Sequence, residues 1–129
     1  MSVLAYIKAL KLLIWKENVT PEYITFFITS RCNLKCRHCF YWENLNSCKP
    51  ELTIKEISRI SKKIPPFHFL LLTGGEPFLR KDIDEIVSLF LKNNQIKKLG
   101  IPSNGYWNNE LKERVVSLIE RHPELSITV

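Results

Sequence analysis

Residues 67–75, Phe-His-Phe-Leu-Leu-Leu-Thr-Gly-Gly, contain a nearly continuous apolar run that stops at a pair of glycines. A short apolar run bounded in this way predicts a strand that is covered on both faces, which is typical of parallel sheets. We therefore expect a strand over residues 67–73. The glycine pair predicts a loop at the carboxyl end of that strand.

Three further strands are predicted around this one, because aromatic and β-branched residues gather in short segments. They cover residues 23–29, 97–101 and 125–129. Between the strands, apolar residues recur at helical spacing and predict three helices over residues 54–64, 83–94 and 110–121. Strands that alternate with helices indicate an α/β fold whose parallel sheet is built from right-handed crossovers.

Two capping boxes are predicted where helices begin. Thr53 with Glu56, and Asp82 with Glu85, match the pattern in which paired side chains satisfy free backbone amides at a helix start. The residues predicted to face the core share helical spacing: Ile54, Ile57, Ile60 and Ile64; Ile83, Ile86, Val87, Phe90 and Leu91; and Leu111, Val115, Leu118 and Ile119.

The length of 129 residues corresponds to one domain. Residues 1–20 are expected to form an N-terminal amphipathic helix, since Val3, Ile7, Leu10 and Ile14 recur at helical spacing. Residues 21–129 are expected to form the α/β domain. A closed eight-stranded barrel needs about 250 residues, so four strands predict an incomplete parallel barrel. We expect it to be truncated at its C-terminal side.

Composition narrows the function classes. The chain has 19 basic and 13 acidic residues, but the densest basic stretches are only pairs such as Lys62-Lys63. This distribution favours a solvated surface over a nucleic-acid partner. The apolar segment near the N-terminus is too short to span a bilayer, so no transmembrane segment is expected. Clustered cysteines without a signal peptide predict metal ligands in a reducing cytoplasm.

Three of the four cysteines form Cys32-Asn-Leu-Lys-Cys36-Arg-His-Cys39, just after the first predicted strand. Thiolates are soft ligands that suit iron–sulfur clusters, zinc and copper(I). Three thiolates on one loop favour a cluster whose fourth iron stays open. A structural zinc site would need a fourth ligand, either Cys48 or His38. The spacing alone leaves both sites open, and under the cluster interpretation Cys48 is a free cysteine.

Two more loops place polar groups after neighbouring strands. Thr73-Gly-Gly-Glu-Pro77 follows the second strand, and its glycines and carboxylate suit a ligand that carries an ammonium group. Ser103-Asn-Gly105 follows the third strand and offers groups for a ribose or a carboxylate. Each loop by itself also fits a simple turn. Because the carboxyl ends of parallel strands share one edge, we expect all three loops along one rim.

The Cys-x3-Cys-x2-Cys motif, followed by Gly-Gly-Glu-Pro after the next strand, resembles the radical S-adenosylmethionine (SAM) superfamily over about residues 22–129. The resemblance implies a partial (β/α)6 TIM-like barrel, of which this chain supplies about four strands. It also implies that a [4Fe–4S] cluster is ligated by Cys32, Cys36 and Cys39. The SAM contacts that it implies are His38, Gly74, Gly75, Glu76, Pro77, Ser103 and Asn104.

The activity implied by this resemblance is reductive cleavage of SAM to a 5′-deoxyadenosyl radical, which abstracts hydrogen from a substrate. The implied partners are SAM, a peptide or small-molecule substrate, and an electron donor such as a flavodoxin or ferredoxin. The motif segments are most similar to the branch with SPASM-type peptide-modifying enzymes and molybdenum-cofactor-type cyclases. Two alternatives stay open: a non-catalytic, truncated relative, and a zinc-binding interaction module that uses the same cysteines.

Overall fold

A computed structural model describes residues 20–106 and 109–129. Within these ranges the chain forms one four-stranded parallel sheet and three helices. The strands are β1 (Tyr23–Thr29), β2 (Phe69–Gly74), β3 (Lys98–Gly100) and β4 (Ser126–Thr128). The helices are α1 (Ile54–Lys63), α2 (Ile83–Asn94) and α3 (Asn109–Arg121). The predicted α/β order is confirmed, whereas the predicted N-terminal helix lies outside the described residues apart from Thr20.

The sheet has the order β1-β2-β3-β4, so every strand pairs with its neighbours in sequence and each crossover carries a helix. The register runs across the sheet from Thr25 through Leu71 and Gly100 to Thr128. The pairing of β1 with β2 shifts between Phe27 and Thr29. This sheet is consistent with part of a (β/α) barrel, and the irregularity lies where β1 leads into the cysteine loop.

The core lies against one face of the sheet. Along β1, side chains alternate between exposed positions and positions that pack on the core, as the period of a strand requires. On β2, Leu70 and Leu72 are fully buried. The helices contribute apolar side chains to the same cluster, among them Ile57, Ile83, Ile86, Val87, Phe90, Val115 and Leu118.

The capping box at the start of α1 is confirmed. The Thr53 hydroxyl accepts a hydrogen bond from the Glu56 backbone amide at 3.3 Å, and the Glu56 carboxylate accepts one from the Thr53 amide at 2.8 Å. The second predicted box is wrong. Asp82 precedes α2, but its side chain makes no capping hydrogen bond. Its carboxylate binds the Arg80 guanidinium instead, at 2.7 and 3.1 Å.

The buried face of α3 also differs in part from the prediction. Val115 and Leu118 are buried as expected, but Ile119 is 48% exposed, so its inward placement was wrong. His122 is buried instead, just beyond the end of the helix. At 100° per residue, His122 lies closer than Ile119 to the direction of Leu118. An apolar pattern could not select it because histidine is polar.

Candidate functional site

The three motif loops meet at the carboxyl edge of the sheet, as the sequence predicts for successive parallel strands. The cysteine loop follows β1, the Gly-Gly-Glu-Pro loop follows β2, and the Ser103-Asn104 loop follows β3. Direct hydrogen bonds join all three loops.

Asn46 fixes the start of the cysteine loop. Its side-chain oxygen accepts a hydrogen bond from the Cys32 amide at 3.0 Å, and its side-chain nitrogen donates to the Cys32 carbonyl at 3.2 Å. The Asn46 amide donates to the Ser30 carbonyl at 2.8 Å. Asn46 has a φ of 52°, in the left-handed region that asparagine tolerates well. Sequence reasoning missed this residue, because nothing in its neighbourhood marks a contact fourteen residues away.

The cysteines themselves differ in exposure. Cys32 and Cys39 are partly buried, and Cys36 and Cys48 are exposed. A backbone hydrogen bond from Cys39 to Cys36 at 3.2 Å closes a turn that holds these two close together. The Leu34 amide lies 3.5 Å from the Cys32 sulfur, to which it donates. N–H groups directed at a cysteine sulfur are typical of iron–sulfur ligation, in which they tune the cluster.

Within residues 20–106 and 109–129, no three His, Cys, Asp or Glu side chains converge to hold a metal ion. The fit of a cluster therefore rests on the chemistry of the ligand set: three thiols on one loop, none of them in a disulfide. The ligand set of the zinc alternative, which adds Cys48 or His38, is likewise not assembled among the described residues.

The two glycines of the second loop permit close approach to the backbone of the cysteine loop. A Cβ on Gly74 would lie 2.0 Å from the Thr29 carbonyl oxygen, and one on Gly75 would lie 2.1 Å from that of Arg31. Gly74 also has a φ of 138°, which side-chain-bearing residues rarely adopt. The Gly75 amide donates to Thr29 at 2.9 Å, and the Glu76 amide donates to Arg31 at 2.7 Å. The glycines therefore allow this loop to lie directly against the cysteine loop.

Glu76 is 1% exposed, so its carboxylate lies inside the rim rather than at the surface. One oxygen accepts from the Phe78 amide at 3.2 Å. The other accepts from the Asn104 amide at 2.8 Å and from the Ser103 hydroxyl at 3.2 Å. Glu76 thus joins the loops after β2 and β3. Pro77, also buried, begins the 3-10 turn Pro77–Leu79 that follows.

The side chain of Asn104 extends from this junction to the cysteine loop. Its amide nitrogen donates to the Asn33 side-chain oxygen at 2.7 Å and lies 3.8 Å from the Cys32 sulfur. The structure therefore brings Glu76, Ser103, Asn104 and Cys32 into one hydrogen-bonded group. His38, by contrast, is exposed and has no hydrogen bond or ion pair among the described residues.

Arg80 was not among the predicted site residues, yet it holds both ends of the cysteine loop. It is 3% exposed. Its guanidinium donates one hydrogen bond to the Ile28 carbonyl, before the loop, and another to the Leu52 carbonyl, after the loop. The Asp82 carboxylate pairs with the same guanidinium. Arg114 of α3 in turn donates to the Arg80 carbonyl. A buried arginine that donates to several acceptors acts as a clamp between their segments. The sequence around Arg80 does not indicate these acceptors, because they lie far away along the chain.

Beside this clamp, Glu51 accepts hydrogen bonds from the Arg31 guanidinium at 2.9 and 3.1 Å and from the Thr29 hydroxyl. Partial burial acts to raise the pKa of Glu51. The hydrogen bonds from Arg31 and Thr29 and the charges of Arg31 and Arg80 outweigh burial, so the pKa lies below its ordinary value. At neutral pH Glu51 therefore carries the charge that pairs with Arg31, and it ties the end of the cysteine loop to its start.

The Arg80–Asp82 pair predicts an acid-sensitive contribution to stability. The hydrogen bond from Arg80 holds the pKa of Asp82 below its ordinary value of 3.8, although partial burial opposes this. A carboxyl group whose pKa is lower in the folded state stabilises the fold at pH values above its unfolded-state pKa. That stabilisation is lost as the pH falls through the folded-state pKa. Asp82→Asn should lower stability by about 1 kcal/mol at pH 7, measured by urea unfolding. Its stability should also fall less than that of the wild type between pH 5 and about pH 2.

Glu85→Gln is the matched control for this prediction, since Glu85 lies in the same first turn of α2 and is exposed. It should leave both the stability and its pH profile close to those of the wild type. Equal acid sensitivity of Asp82→Asn and the wild type would contradict the assignment.

No helix among the described residues has the length and apolar character needed to cross a membrane.

The comparisons with known proteins agree with this arrangement. A curated relative, molybdenum cofactor biosynthesis protein 1 of Dictyostelium discoideum, is 36% identical over 87 residues, which are 64% of this chain. The chain spans 14% of the length of that relative. The family model of the radical SAM superfamily matches residues 26–129, which include all three loops of the rim. The chain therefore belongs to the radical SAM superfamily.

Proposed function

We propose that this chain is a radical SAM enzyme, or part of one, that binds a [4Fe–4S] cluster through Cys32, Cys36 and Cys39 and binds SAM beside it. The observation that carries the proposal is the hydrogen-bonded junction of the three motif loops, within the segment that matches the family. A ligand on one loop is thereby held in a fixed relation to the other two. Such preorganisation is what a cofactor-dependent site requires.

The residues take distinct parts in this proposal. The three thiolates hold the cluster, and the segment Gly74–Pro77 contacts the SAM ammonium through its backbone while the Glu76 carboxylate holds that segment from inside. Ser103 and Asn104 lie where a ribose or carboxylate would be bound, and His38 lies near the adenine. When bound, the cluster and SAM supply reductive cleavage of the sulfonium and a radical that abstracts hydrogen from the substrate.

The partners follow from the same chemistry. We propose a peptide or small-molecule substrate; the name of the relative refers to molybdenum cofactor biosynthesis. One-electron reduction needs a donor, such as a flavodoxin or ferredoxin. Lys35 and Arg37 flank the exposed Cys36, and neither makes a hydrogen bond or ion pair among the described residues. Their charges suit an acidic donor protein. A reducing cytoplasm is the compartment that keeps such thiols reduced.

Anaerobic reconstitution tests the proposal. The chain is incubated with iron, sulfide and a thiol reductant, desalted, and analysed for iron, acid-labile sulfide and zinc. We expect a brown protein with equal amounts of iron and sulfide. Its reduced form should give an electron paramagnetic resonance (EPR) signal that changes when SAM is added. Incubation with SAM and dithionite should then release 5′-deoxyadenosine, measured by liquid chromatography.

Two outcomes would contradict it. A colourless protein that retains one tightly bound zinc ion would support the zinc-binding interaction module. A cluster that binds SAM without releasing 5′-deoxyadenosine, under conditions in which a known radical SAM enzyme does so, would show that this chain by itself does not cleave SAM, as expected of a non-catalytic, truncated relative.

A further inference from the structure

The side chain of Asn104 occupies an unusual place for a loop residue. Its amide nitrogen lies 3.8 Å from the Cys32 sulfur and 2.7 Å from the Asn33 side-chain oxygen. An amide nitrogen carries two hydrogens, so it can donate to both acceptors at once. Sulfur is larger than oxygen, which makes N–H···S contacts longer than N–H···O contacts. The geometry therefore directs one N–H of Asn104 at the sulfur of Cys32.

The backbone of Asn104 is fixed independently of its side chain. The Glu76 carboxylate, 1% exposed, accepts from the Asn104 backbone amide at 2.8 Å. The Asn104 side-chain oxygen accepts from the Tyr106 amide at 2.9 Å, which sets the orientation of the carboxamide. With its oxygen engaged by Tyr106, the carboxamide presents its nitrogen, not its oxygen, to the cysteine loop. The donor is thus held in place by two contacts that do not involve sulfur.

We propose that Asn104 is a positioning and tuning residue for the cluster: its side-chain amide donates a hydrogen bond to the Cys32 thiolate, and Glu76 holds that amide in place. The inference rests on the proposed function, because it assigns a cluster to Cys32. It goes further, because it assigns to Asn104 a hydrogen bond to the Cys32 sulfur and to Glu76 the positioning of Asn104. The Leu34 amide, 3.5 Å from the same sulfur, supplies a second donor.

The direction of the effect follows from electrostatics. Reduction adds negative charge to the cluster and its thiolates, and a donor directed at a sulfur stabilises that charge. Removing the donor therefore makes reduction harder. The net effect of a typical single hydrogen bond corresponds to about a threefold to tenfold change in the equilibrium constant for reduction. For a one-electron couple, tenfold corresponds to about 59 mV.

The experiment compares the reconstituted wild type with Asn104→Leu and Asn104→Asp. Both variants keep the backbone amide that Glu76 binds, and both remove the side-chain donor. The midpoint potential is measured by redox titration followed by EPR, and we expect a lower potential in both. A second readout needs no turnover: with 15N-labelled asparagine, pulsed EPR of the reduced wild type should show a nitrogen coupling that Asn104→Leu reduces.

Glu76→Gln and two controls complete the design. Glu76→Gln turns one acceptor into a donor that faces a backbone N–H group, so it should loosen the hold on Asn104 and reduce the nitrogen coupling seen by pulsed EPR. Ser88→Ala removes a hydroxyl that donates to the Asp84 carbonyl within α2, away from the rim, and should leave the potential unchanged. Asn93→Leu removes an asparagine that donates to Ser61, away from the rim, and should also have no effect.

The possible outcomes separate this inference from the proposed function. Unchanged potentials and couplings in both Asn104 variants, in a protein that still cleaves SAM, would overturn the inference and leave the function standing. Loss of the cluster in both variants would also overturn the tuning role, since it would make Asn104 necessary for assembly. A wild type that assembles no cluster would overturn the proposed function, and the inference with it.

Discussion

Replacing Cys36 with alanine is expected to abolish both cluster assembly and SAM cleavage. Cys36 is the middle cysteine of the motif, and a turn joins it to Cys39. Without it, two thiolates remain for the cluster. Loss of a residue that merely supports a metal ligand costs about tenfold to a hundredfold in affinity, so loss of a ligand should cost at least as much. We expect iron, sulfide and 5′-deoxyadenosine to fall by at least about a hundredfold.

Cys48→Ala provides the control for this experiment, because Cys48 is also exposed and lies outside the motif. It should keep the cluster content and the cleavage rate of the wild type. Circular dichroism should show the same fold for both variants, since neither thiol is in the core. A Cys36→Ala protein with a normal cluster would contradict the ligand assignment. Loss of the metal in Cys48→Ala would favour the four-cysteine zinc site.

The second large effect is expected from alanine at the glycine pair. At Gly75, a Cβ would lie 2.1 Å from the Arg31 carbonyl oxygen and 2.6 Å from its carbonyl carbon. At Gly74, it would lie 2.0 Å from the Thr29 oxygen, on a backbone with a φ of 138°. Neither clash is with the end of a flexible side chain, so the cysteine loop itself must move. Crowding should cost about 1–3 kcal/mol at either position. At Gly74, backbone strain should add a cost of similar size.

We therefore expect Gly74→Ala to lose roughly 2–6 kcal/mol and Gly75→Ala about 1–3 kcal/mol of unfolding free energy, measured by urea denaturation. This is a large share of the ~5–15 kcal/mol typical of a domain. Both variants should also assemble less cluster, because the two loops separate. Gly100→Ala is the matched control, since its Cβ would meet the end of the Leu71 side chain at 2.7 Å, which can turn aside. If Gly100→Ala were as destabilising as the other two variants, the loop contact would not be the cause.

The fold was largely predictable because strands and helices are encoded locally. The apolar run that ends in β2, the β-branched run of β1 and the Thr53–Glu56 box each place their signal within a few neighbouring residues. Predictions failed where a side chain could bind either of two partners, or where the apolar pattern did not decide which residues of a helix face the core. The Asp82 carboxylate binds Arg80 rather than a backbone amide of α2, and Ile119 is exposed while His122 is buried.

The site divides in the same way. The sequence identified the three loops, because motif spacing and position after strands are local features. The sequence contained no sign of the Asn46 contact with Cys32, or of the carbonyls that Arg80 binds. For Glu76 the residue was predicted but its environment was not: the carboxylate is buried and accepts hydrogen bonds from the loop after β3. These partners lie far apart in sequence, and their contacts exist only once the loops have met.

The sequence by itself determined the order of strands and helices, the identity of the candidate thiol ligands and the rim on which they lie. The reason is that periodicity, capping and motif spacing are properties of short segments. Only the tertiary structure decided how the rim is held together. Asn104 and Cys32 are separated by 72 residues, and their contact depends on the parallel alignment of β1, β2 and β3. That alignment brings their loops to one edge, where a buried carboxylate and two glycines permit the final approach.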